Sequence, residues 1–126
     1  MKDNKGKIFQ LASLNKKLVL LDFWSSDCMP CRHKHPRLAD LYKKYADKGF
    51  EIISISLDVN AGEWRKAIEK DELTWINVSD LKGWKTKLAE DYYVKSLPFS
   101  IWLDKDKKII SIEDLSETQI EEYLKQ

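Results

Sequence analysis

The run Leu18 to Trp24 limits what this chain can fold into more than any other stretch. It is apolar at every position except Asp22, without the alternation of a half-exposed strand. Such a run reads as a strand covered on both faces, as in a sheet flanked by helices. Ser25-Ser26-Asp27 follows, and then Cys28-Met29-Pro30-Cys31 opens a helical pattern. Leu38, Leu41, Tyr42 and Tyr45 recur at helical spacing, Pro36 is placed to kink the helix, and Gly49 stops it near Lys48.

The rest of the chain continues the alternation. Phe50 to Leu57 is rich in β-branched residues and reads as a second core strand. A helix is expected from Ala61 to Lys70, with Trp64, Ala67 and Ile68 on one face. A short extended piece at Trp75 to Val78 and a helix at Gly83 to Tyr92 come next. Phe99 to Leu103 and Lys107 to Ile112, joined by Asp104-Lys105-Asp106, read as a hairpin. Ser116-Glu117-Thr118-Gln119 is a capping box for a last helix. Near the start, a turn over residues 3–7 and an edge strand at Ile8 to Leu11 are expected. With 126 residues, the chain reads as one α/β domain, a mixed sheet with helices on both faces.

Composition removes several functions. Basic and acidic residues number 22 and 21, so bulk charge does not point to nucleic acid. At 43% hydrophobic residues, the chain is not an acidic disordered segment. No stretch has the ~18–20 apolar residues that cross a bilayer. Met1 to Lys7 lacks the apolar core of a secretory signal.

The two cysteines, Cys28 and Cys31, make either one redox pair or half a zinc site. A helix start presents unpaired N–H groups and a positive dipole end, which stabilise a thiolate at Cys28. That thiolate is the nucleophile of disulfide exchange. Cys31, one turn on, is placed to resolve a mixed disulfide, and Pro30 fits the first turn, where its missing N–H costs nothing. Zinc needs four ligands. The two histidines, His33 and His35, are two apart and point ~200° from each other on a helix, so they read as solvated positions beside Arg32 and Lys34. The redox pair is favoured, with no metal and no cofactor beyond the cysteine pair itself. Asp22 is the other candidate, because acids seldom sit unpaired inside apolar runs.

Asp22-Phe23-Trp24-Ser25-Ser26-Asp27-Cys28-Met29-Pro30-Cys31-Arg32 resembles the active-site signature of thioredoxin-fold thiol–disulfide oxidoreductases. Pro36 matches the kink in that fold's first long helix, and Leu97-Pro98 matches its cis-proline. The helix after Leu57-Asp58, with Leu73-Thr74-Trp75 and Val78 to Trp84, is similar to the insertion of the TlpA/ResA-like branch. In texture the chain resembles the exported thioredoxin-like domains of Bacteroidetes-type bacteria. The resemblance implies that Cys28 attacks, that Cys31 resolves, and that Asp22 lies beneath the dithiol and exchanges a proton with Cys31. It also implies that Trp24, Met29, Pro30, Leu97 and Pro98 face the substrate, with the Leu97 backbone pairing an extended segment.

Some positions depart from the pattern. Asp27 stands where Trp is usual and opposes a thiolate at Cys28; Lys34 stands where the branch often has Glu; Leu97 and Phe99 flank the proline where Thr is common. The expected function is disulfide exchange with protein substrates, as a reductant recharged by an upstream thiol protein. The alternatives are a peroxiredoxin-like peroxidase, for which Leu21 stands where that pattern has Pro, and a non-catalytic metal- or protein-binding module. The resemblance further implies a monomeric domain over residues 1–126, cut from a longer exported protein and working in the periplasm or otherwise outside the cytoplasm. A cytoplasmic setting is the alternative.

Overall fold

The computed structural model describes all 126 residues. Strand β2 (Leu18–Trp24) is buried at every position, as its composition requires. It pairs in parallel with β3 (Phe50–Ser56) and antiparallel with β5 (Phe99–Asp104). Beyond these lie β4 (Ile76–Ser79), parallel to β3, and the edge strands β1 (Lys2–Asp3) and β6 (Ile109–Ser111). The six-stranded order is β1-β4-β3-β2-β5-β6. This mixed sheet with helices on both faces is the thioredoxin fold.

Alternation along the strands divides the core into two layers. Leu18, Leu20, Trp24, Phe50, Ile52 and Trp102 face one side. There they meet α2 (His35–Tyr45), α3 (Ala61–Lys70) and α5 (Glu117–Leu124) through Leu38, Leu41, Trp64, Ile68 and Ile120. Val19, Leu21, Phe23, Ile53 and Ile55 face the other side. There they meet Ala89 of α4 (Lys87–Asp91), with Phe9 and Leu11 of the N-terminal segment at the margin. The capping box that opens α5 has both of its hydrogen bonds.

Three expectations are corrected. The first edge strand is Lys2–Asp3 rather than Ile8 to Leu11, where Ile8 makes one isolated bridge to Lys2 and Leu11–Ser13 is a 3-10 turn. The Asp3 carboxylate accepts the N–H groups of Lys5 and Lys7, which closes the turn that folds the segment back. The long helix divides at Lys34 into α1 (Met29–His33) and α2, because Pro36 in the first turn of α2 has no N–H to continue the ladder. Gly83 to Tyr92 is a 3-10 turn and a short helix separated by Thr86, whose backbone is extended at φ −55° and ψ 127°.

Phe50 and Trp102 stack with centroids 5.9 Å apart beneath α5. Trp102→Ala is expected to lower the unfolding free energy by about 3–5 kcal/mol. Ile109→Ala, at an exposed edge position, is expected to change it by about 0.5 kcal/mol or less. Urea unfolding of both variants checks this.

Candidate active site

The cysteine motif leaves the sheet at the C-terminal end of β2. Cys28 is the N-cap of α1, and its sulfur accepts the Cys31 N–H at 3.2 Å. Its backbone is extended (φ −92°, ψ 95°), which turns the chain from strand into helix. The two cysteines form a disulfide with Cα atoms 5.3 Å apart. Cys28 is partly exposed, Cys31 is fully buried, and Met29 and Pro30 are exposed beside them.

The loop before Cys28 is held from β3. Asp58, itself buried, accepts the Ser26 N–H and hydroxyl and the Ser56 hydroxyl. Nothing in the local pattern announces this clamp; it needs the β2–β3 pairing that brings residues 24 and 56 together. The exposed Asp27 accepts the Ser25 hydroxyl at 2.6 Å.

Asp22 is fully buried in the middle of β2. Register sets Ser54 on one side of it and Ser100 on the other, a polar row across an otherwise apolar face. The Ser54 hydroxyl donates to Asp22 Oδ2 at 2.8 Å and accepts from the Trp75 indole N–H. Lys34 Nζ reaches the Ser100 hydroxyl at 3.1 Å. The Leu97–Pro98 peptide bond is cis. Phe99 pairs with Phe23, so the half-buried Leu97 and Pro98 lie at the same sheet end as the cysteine loop.

Two expectations do not survive. Trp24 has no exposed surface and is not a substrate contact in this disulfide form; its ring is T-shaped against His35 at 4.8 Å. His35 is not solvated. It is 1% exposed, with Nδ1 2.8 Å from Asp71 Oδ2 and Nε2 3.7 Å from Asp22 Oδ2. His35 lies in the first turn of α2 at helical spacing from the buried Cys31 and Leu38, on the face toward the sheet. His33 remains exposed.

Asp71 links these groups. It caps the C-terminal end of α3, where Glu72 takes positive φ and the Leu73 N–H returns to the Ile68 carbonyl. A carboxylate at a helix C-terminus is disfavoured by the dipole. The Arg32 fork offsets this, with Nε 2.9 Å and Nη2 2.8 Å from the two Asp71 oxygens. Arg32 holds Asp71 below the ordinary carboxylate value, with His35 adding to the effect. Burial opposes charge on His35, but Asp22 and Asp71 outweigh it and raise its pKa.

The site thus combines a helix-start disulfide, one cysteine partly exposed and the other buried, with a cis-proline at the same sheet end and a buried acid in the preceding strand. Residues 15–109 match the family described as Thioredoxin-like. The chain belongs to the thioredoxin-like family. Thiol-disulfide oxidoreductase ResA of Bacillus cereus is 36% identical over 124 residues, which is 97% of this chain and 70% of that protein. ResA of Bacillus subtilis is 27% identical over 127 residues, covering 98% and 69%. Among solved structures, the thioredoxin domain of a Bacteroides vulgatus thiol-disulfide oxidoreductase has a TM-score of 0.88 at 32% identity, covering 98% of this chain and 90% of that one. As a member of this family, the chain is a thiol–disulfide oxidoreductase.

The charge network predicts a stability profile. The native Asp71 carboxyl binds protons less readily than the unfolded one, so its contribution is full above the ordinary carboxylate range and is lost as pH falls through its lowered native value. His35 runs the other way: its contribution is complete below the ordinary imidazole value and is lost as pH rises through its raised native value. Asp71→Asn is expected to flatten both flanks of the profile, measured by urea unfolding across a pH series.

Proposed function

We propose that this domain reduces disulfides in protein substrates, with Cys28 as nucleophile, Cys31 as resolving thiol and Asp22 as the proton partner of Cys31. The observation that carries the roles is the asymmetry of the pair: Cys28 is reachable from solvent and Cys31 is buried. The Cys28 thiolate attacks one substrate sulfur, the substrate S–S bond breaks, and the other sulfur leaves as a thiolate that takes up a proton. Cys31 then gives its proton to Asp22 and attacks Cys28 Sγ. The mixed disulfide breaks, the second substrate thiolate leaves, and the Cys28–Cys31 disulfide forms. The substrate gains two electrons, and an upstream dithiol protein restores the pair. The exposed Met29 and Pro30, with Leu97 and Pro98, form the apolar rim against which an extended substrate segment lies.

The reducing direction rests on the resemblance to the TlpA/ResA-like branch, as does an extracytoplasmic setting. No helix here is long and apolar enough to cross a membrane.

Cys28→Ser is expected to abolish insulin disulfide reduction, and Cys31→Ser to accumulate a mixed disulfide with substrate. Equilibration of the wild-type pair with glutathione is expected to give a potential of about −270 to −230 mV. A value above about −180 mV reverses the proposed direction, and the absence of a reversible two-electron step removes the reading.

A further inference from the structure

The proposed exchange leaves one buried titratable group unused. His35 stands between the acid assigned to Cys31 and an acid at the surface, with one ring nitrogen toward each. Asp22 Oδ1 and His35 Nε2 are both buried and lack hydrogen-bond partners, while Asp22 Oδ2 and Nε2 are 3.7 Å apart. A small rotation of either side chain closes this gap to a hydrogen bond. On the far side, Nδ1 is already bonded to Asp71 at 2.8 Å. Asp71 opens into a cleft of about 450 Å³ that Arg32, Pro36 and Ala39 also line. A file of proton-bearing groups therefore runs from the middle of β2 to the surface.

We propose that His35 is a positioning residue for the proton step: it holds the proton that Asp22 delivers to Cys31 and connects Asp22 to solvent through Asp71. The proposal rests on the role assigned to Asp22. When a donor dithiol reduces the pair, its thiolate attacks Cys28 Sγ and the Cys28–Cys31 bond breaks. Cys31 leaves as a thiolate; the proton on His35 Nε2 passes to the Asp22 carboxylate and from it to Cys31, leaving neutral His35 with its remaining proton on Nδ1, donated to Asp71. The donor's second thiol completes the donor disulfide and releases Cys28. Substrate reduction returns the proton along the same file.

The charges around His35 suit a proton that is held but transferable. Asp22 from β2 and Asp71 from the end of α3 favour the imidazolium. Arg32 from α1 opposes it and is tied to Asp71 by two bonds. Lys34 reaches Ser100, the β5 neighbour of Asp22. Lys70, Glu72 and Asp40 line the cleft beyond Asp71. The rings of Trp24 and Trp75 pack edge-on against the imidazole, with centroids 4.8 and 6.5 Å away.

The test is an NMR titration of the His35 imidazole in the oxidised and reduced protein, with His33→Gln removing the other histidine signal. In the reduced form the Cys31 S–H competes for Asp22, so the His35 midpoint is expected to fall by about half a pH unit or more on reduction. The second readout is the rate at which dithiothreitol reduces the disulfide, compared between wild type and His35→Asn from about pH 5 to 9. Asn keeps a donor where Nδ1 stood and retains the Asp71 bond, but it holds no extra proton. The wild-type to variant rate ratio is expected to change about tenfold across the His35 titration. A His35 midpoint identical in both redox states, or a rate ratio constant with pH, overturns the relay. A pair that does not cycle with dithiothreitol at all overturns the oxidoreductase reading beneath it.

Discussion

The structure depends on a carboxyl group placed in a strand that has no exposed face. Burying Asp22 alone costs several kcal/mol, so the surrounding elements have to supply partners. Ser54 of β3 donates to one carboxylate oxygen and is itself held by the Trp75 indole, and His35 from the first turn of α2 stands 3.7 Å from the same oxygen. Each of these is fixed in turn by something else, His35 by Asp71 and Asp71 by Arg32. The sheet register and the inward face of α2 are thereby tied to one buried acid. A one-residue slip of β2 against β3 would place Asp22 in the opposite apolar layer with none of these partners.

Much of the fold was legible because its signals are local. The continuous run of β2, the branched residues of β3, the amphipathic face of α3 and the capping box of α5 each specify an element without reference to the rest. The cysteine motif at a strand-to-helix junction was legible for the same reason. What could not be read were pairings across the chain. Arg32 and Asp71 are neighbours only because α3 ends beside α1. Asp58 clamps Ser26 only because β2 and β3 run parallel and end together. His35 lies at helical spacing from Cys31 and Leu38, on the apolar face, but its polar side chain beside Arg32 and Lys34 hides that placement until its partners Asp71 and Asp22 are brought to it. Trp24 is adjacent to the motif in sequence, yet strand alternation sends its ring into the core. Adjacency along the chain is a poor guide to adjacency at a site where each residue steps through half a turn.

The site also shows how stability and chemistry share one set of groups. The Arg32–Asp71–His35 arrangement fastens α1, α2 and α3 beneath the cysteine loop, while Asp58 fastens that loop to β3. The disulfide therefore sits on a braced base, whereas Met29 and Pro30 beside it are exposed and Leu97 and Pro98 are half-buried. Braced support below and an open face above suit a reaction in which the attacking sulfur must be presented to large, varied partners.

The two ends of the sheet bear on how such partners depart. β1 has two residues and β6 has three, and Lys107 and Lys108 precede the outer strand. Short margins beside positive charge offer little backbone for another chain to zip onto. A protein whose work is to bond covalently to one polypeptide after another is at risk of being captured by them. Blunt margins leave each encounter to the sulfur and the surface around it. When the mixed disulfide is resolved, no long ladder of backbone hydrogen bonds remains to hold the product.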